Sequence, residues 1–135
     1  MKVTLDANVL VRAVLLDEPA QARTASRLLR EAELIAVPTA CLCEFVWVLA
    51  TTYKLDRSSI AGAIRQLLDS STVTLDTPAV EAGLAVLDRG GDFADGVIAY
   101  EGSTAGGDTF VSFDRKAITR VKAIGIPVQL ASALQ

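Results

Sequence analysis

The chain has 135 residues, of which 51% are hydrophobic and 21% are charged, and its formal net charge is −3. This length predicts a single domain, over residues 1–135, with a buried core of its own. No stretch approaches the ~18 consecutive apolar residues of a membrane span, and no signal peptide is evident, so we expect a cytoplasmic protein. The negative charge argues against a broad nucleic-acid-binding face but allows a local basic rim around an acidic centre.

Histidine is absent from the sequence. Its absence excludes Ser-His-Asp and Cys-His nucleophilic catalysis and zinc sites built on histidine. A hydrolase of this composition must use carboxylates, whose oxygens favour hard cations such as Mg²⁺ or Mn²⁺. The two cysteines, Cys41 and Cys43, are two residues apart in a predicted helix, where their side chains point away from each other. Both are therefore interpreted as small buried apolar residues.

The first ten residues contain the motif around which the chain is organised. Residues 3–5 favour a β-strand, and the apolar run at 9–16 predicts a helix. Asp6 and Asn8 lie at the junction, where a side-chain oxygen can cap the first turn of the helix. The carboxyl edge of a parallel strand is also where open α/β sheets place their chemistry, so Asp6 has both a structural and a functional interpretation.

The third predicted helix contains one charge among apolar neighbours. A helix over residues 19–31 and a buried strand over 34–37 come first, and Thr39 is expected to cap the third helix at 40–53. This helix is apolar almost all round, which predicts that it is mostly buried. Because a carboxylate in such surroundings is costly unless it is paired or metal-bound, we favour a functional role for Glu44.

Helices and strands continue to alternate along the rest of the chain. The order predicts an α/β fold with a central parallel sheet of about five short strands, flanked by helices and joined by right-handed crossovers. Small residues in the helix over 77–87 are expected to allow close approach by a neighbour. The predicted elements are a helix capped by Asp56 and ending near Leu68, a strand at 73–75, the helix at 77–87, a helix after Asp92, a strand at 109–113, a helix at 115–124 and a strand at 128–130.

Three more carboxylates stand at helix starts in the second half of the chain. Asp92 is a predicted N-cap, and Asp95 occupies the acidic position of a capping box. The apolar residues that follow Asp95 favour a functional role for it instead. Asp114 ends a strand as Asp6 does, and Ser112, two residues before it, can hydrogen-bond a ligand or a metal-bound water.

Four of these carboxylates occupy comparable places, two at strand ends and two within helices. If the strands that carry Asp6 and Asp114 are adjacent, then Glu44 and Asp95 can converge with them on one pocket. Such a cluster raises some of its own pKa values by mutual repulsion. One or two Mg²⁺ or Mn²⁺ ions relieve that repulsion, lower the pKa of a bound water and neutralise charge on a scissile phosphate.

Four segments together resemble PIN-domain ribonucleases of the VapC toxin type: residues 5–10, 44–49, 92–99 and 109–114. The resemblance implies a PIN-like domain, endonucleolytic cleavage of RNA that depends on Mg²⁺ (or Mn²⁺), a homodimer and a cognate antitoxin that blocks the site. Gly96, where alanine is common, is expected to weaken its helix slightly without functional cost. By position, the resemblance assigns Asp6, Glu44, Asp95 and Asp114 as catalytic and metal-binding carboxylates, and Asn8, Asp92 and Ser112 as accessory residues.

Two alternatives also use aspartates at strand ends. A phosphoaspartyl phosphatase needs a second acid where Asn8 stands, and a catalytic lysine after a later strand. A phospho-receiver domain, which is not an enzyme, needs adjacent acids at the first strand and a lysine near the last, whereas Lys122 is within a helix. The absence of these residues favours the nuclease.

The sequence contains more apolar side-chain surface than short strands can cover. We expect part of this surface to form a groove for an antitoxin segment. The residues that contribute this surface are Leu10, Val14, Leu15, Leu28, Leu29, Trp47 and Leu67.

Overall fold

The structure is a computed structural model that describes residues 1–134. Over these residues it contains seven α-helices, five short strands and a final 3₁₀ turn. They form two compact units, Met1–Asp76 and the residues from Thr77 onward. The elements in chain order are β1 (Lys2–Thr4), α1 (Ala7–Leu15), α2 (Pro19–Glu31), β2 (Leu34–Ala36), α3 (Thr39–Thr51), α4 (Arg57–Asp69), β3 (Val73–Thr74), α5 (Thr77–Asp88), α6 (Phe93–Thr104), β4 (Phe110–Ser112), α7 (Arg115–Ala123), β5 (Val128–Leu130) and the 3₁₀ turn Ala131–Leu134.

The first unit is built on a three-stranded parallel sheet in the order β1-β2-β3. Ile35 of the central strand pairs with Val3 on one side and with Val73 on the other, and its side chain is fully buried. Phe45 and Leu49 of α3 are also buried in this unit. The parallel direction means that β1 and β2 end at the same edge of the sheet, where Asp6 follows β1.

The second unit contains the parallel pair β4-β5, with Val111 opposite Gln129. Val86 of α5, Ala99 of α6 and Val121 of α7 form a buried cluster. Phe110 of β4 packs against this cluster, which fixes the strand that leads to Asp114.

Helices α5 and α6 pack against each other more closely than ordinary side chains allow. A Cβ added at Gly83 would lie 2.5 Å from Cε2 of the Phe93 ring, and one added at Gly96 would lie 2.8 Å from the Cα of Gly83. The Gly96 Cβ would also overlap the carbonyl oxygen of Ala82. The predicted close approach at α5 is confirmed, but the expectation that Gly96 merely weakens its helix is wrong, since the contact requires glycine there.

The α/β class and the parallel strands are confirmed, with two differences in detail. The five strands divide between two sheets, so β1 and β4 lie in different hydrogen-bonded sheets. The N-cap of α3 is Pro38, and Thr39 is already the first helical residue. Among the helices of residues 1–134, none combines the length and apolar character that a membrane span requires.

Candidate active site

Asp6 caps helix α1, directly after the first strand. Its Oδ1 accepts a hydrogen bond from the backbone N–H of Asn8 at 2.9 Å, which satisfies one of the donors that a helix start leaves unpaired. The preceding residue, Leu5, is 5% exposed and donates its N–H to the carbonyl of Ala36, so the strand continues in register up to the cap. Both predicted roles of Asp6 are compatible with this geometry, because capping engages one oxygen of an exposed carboxylate.

Glu44 is exposed, although the sequence predicts it inside a buried helix. Helix α3 buries Leu42 and Phe45, while Glu44 and Trp47 share an exposed stripe on which Trp47 is 63% exposed. The prediction failed because a tryptophan on the solvent side makes the sequence look apolar all round. The argument that a buried Glu44 needs a partner is therefore wrong. Whether Glu44 has a functional role depends on the groups that lie near it.

The pKa of the Cys41 thiol shows that Glu44 and Asp6 both lie near this residue. Burial raises the pKa of Cys41, and with the added effect of the negative charges of Asp6 and Glu44 the pKa reaches about 11. Both carboxylates are therefore close to the same thiol, within the first unit. Cys41 is buried as predicted, Cys43 is only partly buried, and neither forms a disulfide.

Helices α1 and α2 form a groove that includes Asn8, two residues after Asp6. Asn8 and Arg12 of α1 line a groove of about 340 Å³, together with Thr24 and Leu28 of α2. Arg12 donates a hydrogen bond to Asp17 Oδ1 at 2.8 Å. Asn8 is exposed at the end of this groove nearest to Asp6, where its side chain can reach a ligand.

Asp92 and Asp95 begin helix α6 in the second unit, and they differ in environment. Asp92 is the N-cap, as predicted, and its Oδ1 accepts from the N–H of Ala94 at 3.1 Å. Asp95 is partly buried, and burial raises its pKa; the negative charges of Asp92 and Asp114 add to that increase, while Arg120 opposes it. The structure thus places three carboxylates around one half-buried position.

Asp114 caps helix α7 after β4, so the strand–aspartate–helix pattern of the chain start occurs again. Its Oδ1 accepts from the N–H of Lys116 at 2.9 Å and from that of Ala117 at 3.4 Å. Ser112 Oγ accepts from the N–H of Asp114 at 3.0 Å. The serine therefore holds the turn that positions Asp114, and its hydroxyl hydrogen remains able to bond a ligand oxygen.

Arg120 is a residue that the sequence reasoning missed. Its Nε donates to the carbonyl of Arg89 at 3.4 Å, which holds a positive charge near Asp95. Basic residues are frequent in α7, so the sequence offered no signal that would single out Arg120 from its neighbours.

The donor set matches a hard divalent cation. All the candidate ligands are carboxylate oxygens, and a cation would relieve the repulsion around Asp95. Within residues 1–76 and within residues 77–134, no three His, Cys, Asp or Glu side chains form a ready metal-binding group. Mg²⁺ commonly binds through one or two carboxylates, with waters and substrate phosphates completing its shell, so a pair of acids suits it. The convergence of the two groups of acids on one pocket stays a prediction.

Comparisons with known proteins agree with the fold. No curated protein matches the chain, but the family described as PIN domain matches residues 3–124. That match includes every candidate site residue, and it favours a nuclease over the two phosphoaspartate alternatives. The chain therefore belongs to the PIN-domain family, whose members are typically nucleases that use divalent metal ions.

Proposed function

We propose that this protein is an endoribonuclease dependent on Mg²⁺ or Mn²⁺ and that it acts as the toxin of a toxin–antitoxin pair, as a homodimer. The observation that carries the proposal is the environment of Asp95, a half-buried carboxylate beside Asp92 and Asp114 whose pKa is raised. Repulsion among carboxylates destabilises a folded protein unless a cation or a positively charged partner offsets it. In a PIN domain, that cation is a divalent metal.

The carboxylates divide the work in this proposal. Asp6 and Asp114 each use Oδ1 to cap a helix, which leaves the second oxygen as a metal ligand. Asp95 and Glu44 are the further proposed metal ligands, while Asn8 and Ser112 orient a water or a phosphate oxygen. When bound, Mg²⁺ or Mn²⁺ lowers the pKa of a coordinated water and neutralises the charge that develops on the scissile phosphate.

Substitutions that remove charge but keep shape test this assignment. Asp6→Asn, Glu44→Gln, Asp95→Asn and Asp114→Asn should each reduce RNA cleavage by on the order of 10²-fold or more. Asp92→Asn is the matched control, because asparagine also caps helices and should leave most activity. Equal and severe losses for Asp92→Asn and Asp95→Asn would show that the two roles are misassigned.

The target RNA requires a separate experiment. Brief expression of the protein, followed by sequencing of new RNA 5′ ends, should reveal discrete cleavage positions that the Asp6→Asn variant does not produce. Identical 5′ ends in both samples would contradict ribonuclease activity in the cell.

A groove in the first unit supports the proposed antitoxin. It has a volume of about 180 Å³, and its lining includes Val14, Leu29 and Leu67, three of the residues that the sequence predicted as uncovered apolar surface. Leu10 also lines it, although that side chain is 2% exposed and belongs mainly to the core. An apolar groove of this kind suits an amphipathic helix or an extended segment.

Co-purification tests the partner. The chain should be recovered in a complex when the product of an adjacent small reading frame is expressed with it, and the complex should cleave RNA more slowly than the free chain. Leu67→Arg would weaken the complex without removing a catalytic group. Full activity and unchanged recovery in the presence of that product would contradict the antitoxin.

A further inference from the structure

The second unit contains a stretch of positive charge beside Asp114. Helix α7 carries Arg115, Lys116, Arg120 and Lys122 and has no acidic residue over Arg115–Ala123. In a chain whose net charge is −3, this concentration is unusual and local. Positive side chains grouped on one element are the electrostatic signature of contact with a polyanion.

Two of these positively charged side chains are exposed in the first turn of α7. Arg115, Lys116, Thr119 and Arg120 line a groove of about 210 Å³. Arg115 and Lys116 are exposed, and neither forms an ion pair with a carboxylate among residues 77–134. Arg120, in contrast, is engaged with the carbonyl of Arg89. The groove therefore has two cations without an ion-pair partner, while the Thr119 hydroxyl donates to the carbonyl of Arg115 at 3.0 Å. The cap at Asp114 fixes the first turn of α7, which carries both cations.

An exposed aromatic ring lies immediately before Asp114. Phe113 is 72% exposed, so its ring contributes little to the core. Val111 of β4, two residues earlier in the chain, is also exposed, at 50%. An exposed phenyl ring two and three residues before exposed cations supplies the two features of a single-stranded nucleic-acid platform, a stacking surface and a charged track for the backbone.

We propose that Phe113, Arg115 and Lys116 form a single-stranded RNA-binding subsite next to Asp114, with a base stacked on Phe113 and an adjacent phosphate held by Arg115 and Lys116. The subsite rests on the proposed ribonuclease function and supplies its substrate contacts. It also accounts for RNA binding by an acidic protein, because the contact is confined to one short element. Charge complementarity favours RNA over a second copy of this chain, since a protein face packed on Phe113 would also have to neutralise the cations beside it.

RNA binding can be measured apart from cleavage. The assay uses the full chain with Asp6→Asn, Mg²⁺ and a short fluorescein-labelled single-stranded RNA, over a series of KCl concentrations. Phe113→Ala should weaken binding by about 5- to 150-fold, as expected for loss of one stacked base, while the salt dependence stays unchanged. Phe113→Trp should restore the affinity, which a purely structural role of phenylalanine does not predict.

Loss of a cation is expected to change the salt dependence of RNA binding, which loss of the aromatic ring leaves unchanged. Arg115→Ala and Lys116→Ala should each reduce the slope of log K against log salt by about 0.7, the change for one phosphate contact on a single strand. Val111→Ala, at an exposed apolar residue of β4, and Arg27→Ala, at an exposed cation of α2, are the matched controls, and both should bind like the parent. Equal loss of affinity in Arg27→Ala would show a diffuse electrostatic effect and overturn the subsite.

Two further results would also overturn it. One is the absence of RNA binding by the parent chain at low salt; the other is a change in sedimentation of Phe113→Ala with unchanged RNA affinity, which would make Phe113 a protein–protein contact. Cleavage by the chain with Asp6 intact is measured separately. RNA binding through Phe113 without cleavage would leave the subsite standing and refute the nuclease proposal.

Discussion

Replacing Gly96 with alanine tests how closely α5 must approach α6, the helix that carries Asp95 immediately before this glycine. On an open helix this change stabilises by about 1 kcal/mol, because glycine loses more backbone entropy than alanine on folding. Here the added Cβ would lie 2.7 Å from the carbonyl carbon of Ala82, whereas ordinary contacts begin at 3.4 Å. The atoms it meets are backbone atoms, so no side-chain rotation can relieve the overlap.

The expected result follows from these distances. The helices must separate by at least about 0.7 Å, because that much is needed to bring the Ala82 carbonyl carbon alone to an ordinary distance, and the carbonyl oxygen lies closer still. Such a shift also disturbs the packing of Phe93 on Gly83, and overpacking of this kind typically costs 1–3 kcal/mol. We therefore expect Gly96→Ala to lower the free energy of unfolding by roughly 1–3 kcal/mol despite the gain in helix propensity.

The same helix offers a matched control. Gly102 lies in the last turn of α6, and a Cβ added there meets nothing within 4 Å. Urea denaturation should show Gly102→Ala as stable as wild type or up to about 1 kcal/mol more stable. If Gly96→Ala proves as stable as Gly102→Ala, the close packing of α5 and α6 is not a constraint, and the reasoning is refuted.

Three further predictions concern titrating and capping groups. Without metal, Asp95→Asn should be as stable as wild type or more so. Because folding raises the pKa of Asp95, the folded protein binds more protons than the unfolded chain. The stability of wild type therefore falls as pH rises from the pKa of Asp95 in the unfolded chain to its pKa in the folded protein. Mn²⁺ at a hundredfold excess over Kd should then stabilise wild type by roughly 2.7 kcal/mol in thermal melts and Asp95→Asn by much less, whereas a variant that melts lower without metal yet responds like wild type would contradict the metal site. Asp114→Ala should cost about 0.5–2 kcal/mol in urea denaturation and Asp114→Asn clearly less, and equal costs would argue against capping. Cys41, with a pKa of about 11, should be alkylated by iodoacetamide at pH 8 more slowly than Cys43 in the folded chain, and equal rates by mass spectrometry would contradict its burial.

Helix caps and helix bounds are the features of this structure that the sequence predicts best. The caps at Asp6, Asp56, Asp92 and Asp114 depend on a side chain and the amides two or three residues away, so the information is within a few residues. The helix bounds that the sequence predicts follow for the same reason, to within one or two residues.

Features that depend on distant segments were predicted less well. The exposure of Glu44 depends on which face of α3 the rest of the unit covers, and Trp47 obscured that face in the sequence. The need for glycine at position 96 is decided by Ala82 on another helix. Division of the strands into two sheets likewise reflects pairing between residues far apart in the chain, which short strands specify only weakly.

The caps at Asp6 and Asp114 have a consequence for how strongly these residues can hold a cation. A free aspartate loses side-chain rotational freedom when it coordinates an ion, and that loss weakens binding. At both positions a hydrogen bond from a helix amide already fixes the carboxylate through Oδ1, so folding has restricted its rotation before any ion arrives. Backbone donors therefore preorganise both carboxylates, and the affinity for the metal that these acids are proposed to bind is expected to depend on the integrity of the first turns of α1 and α7.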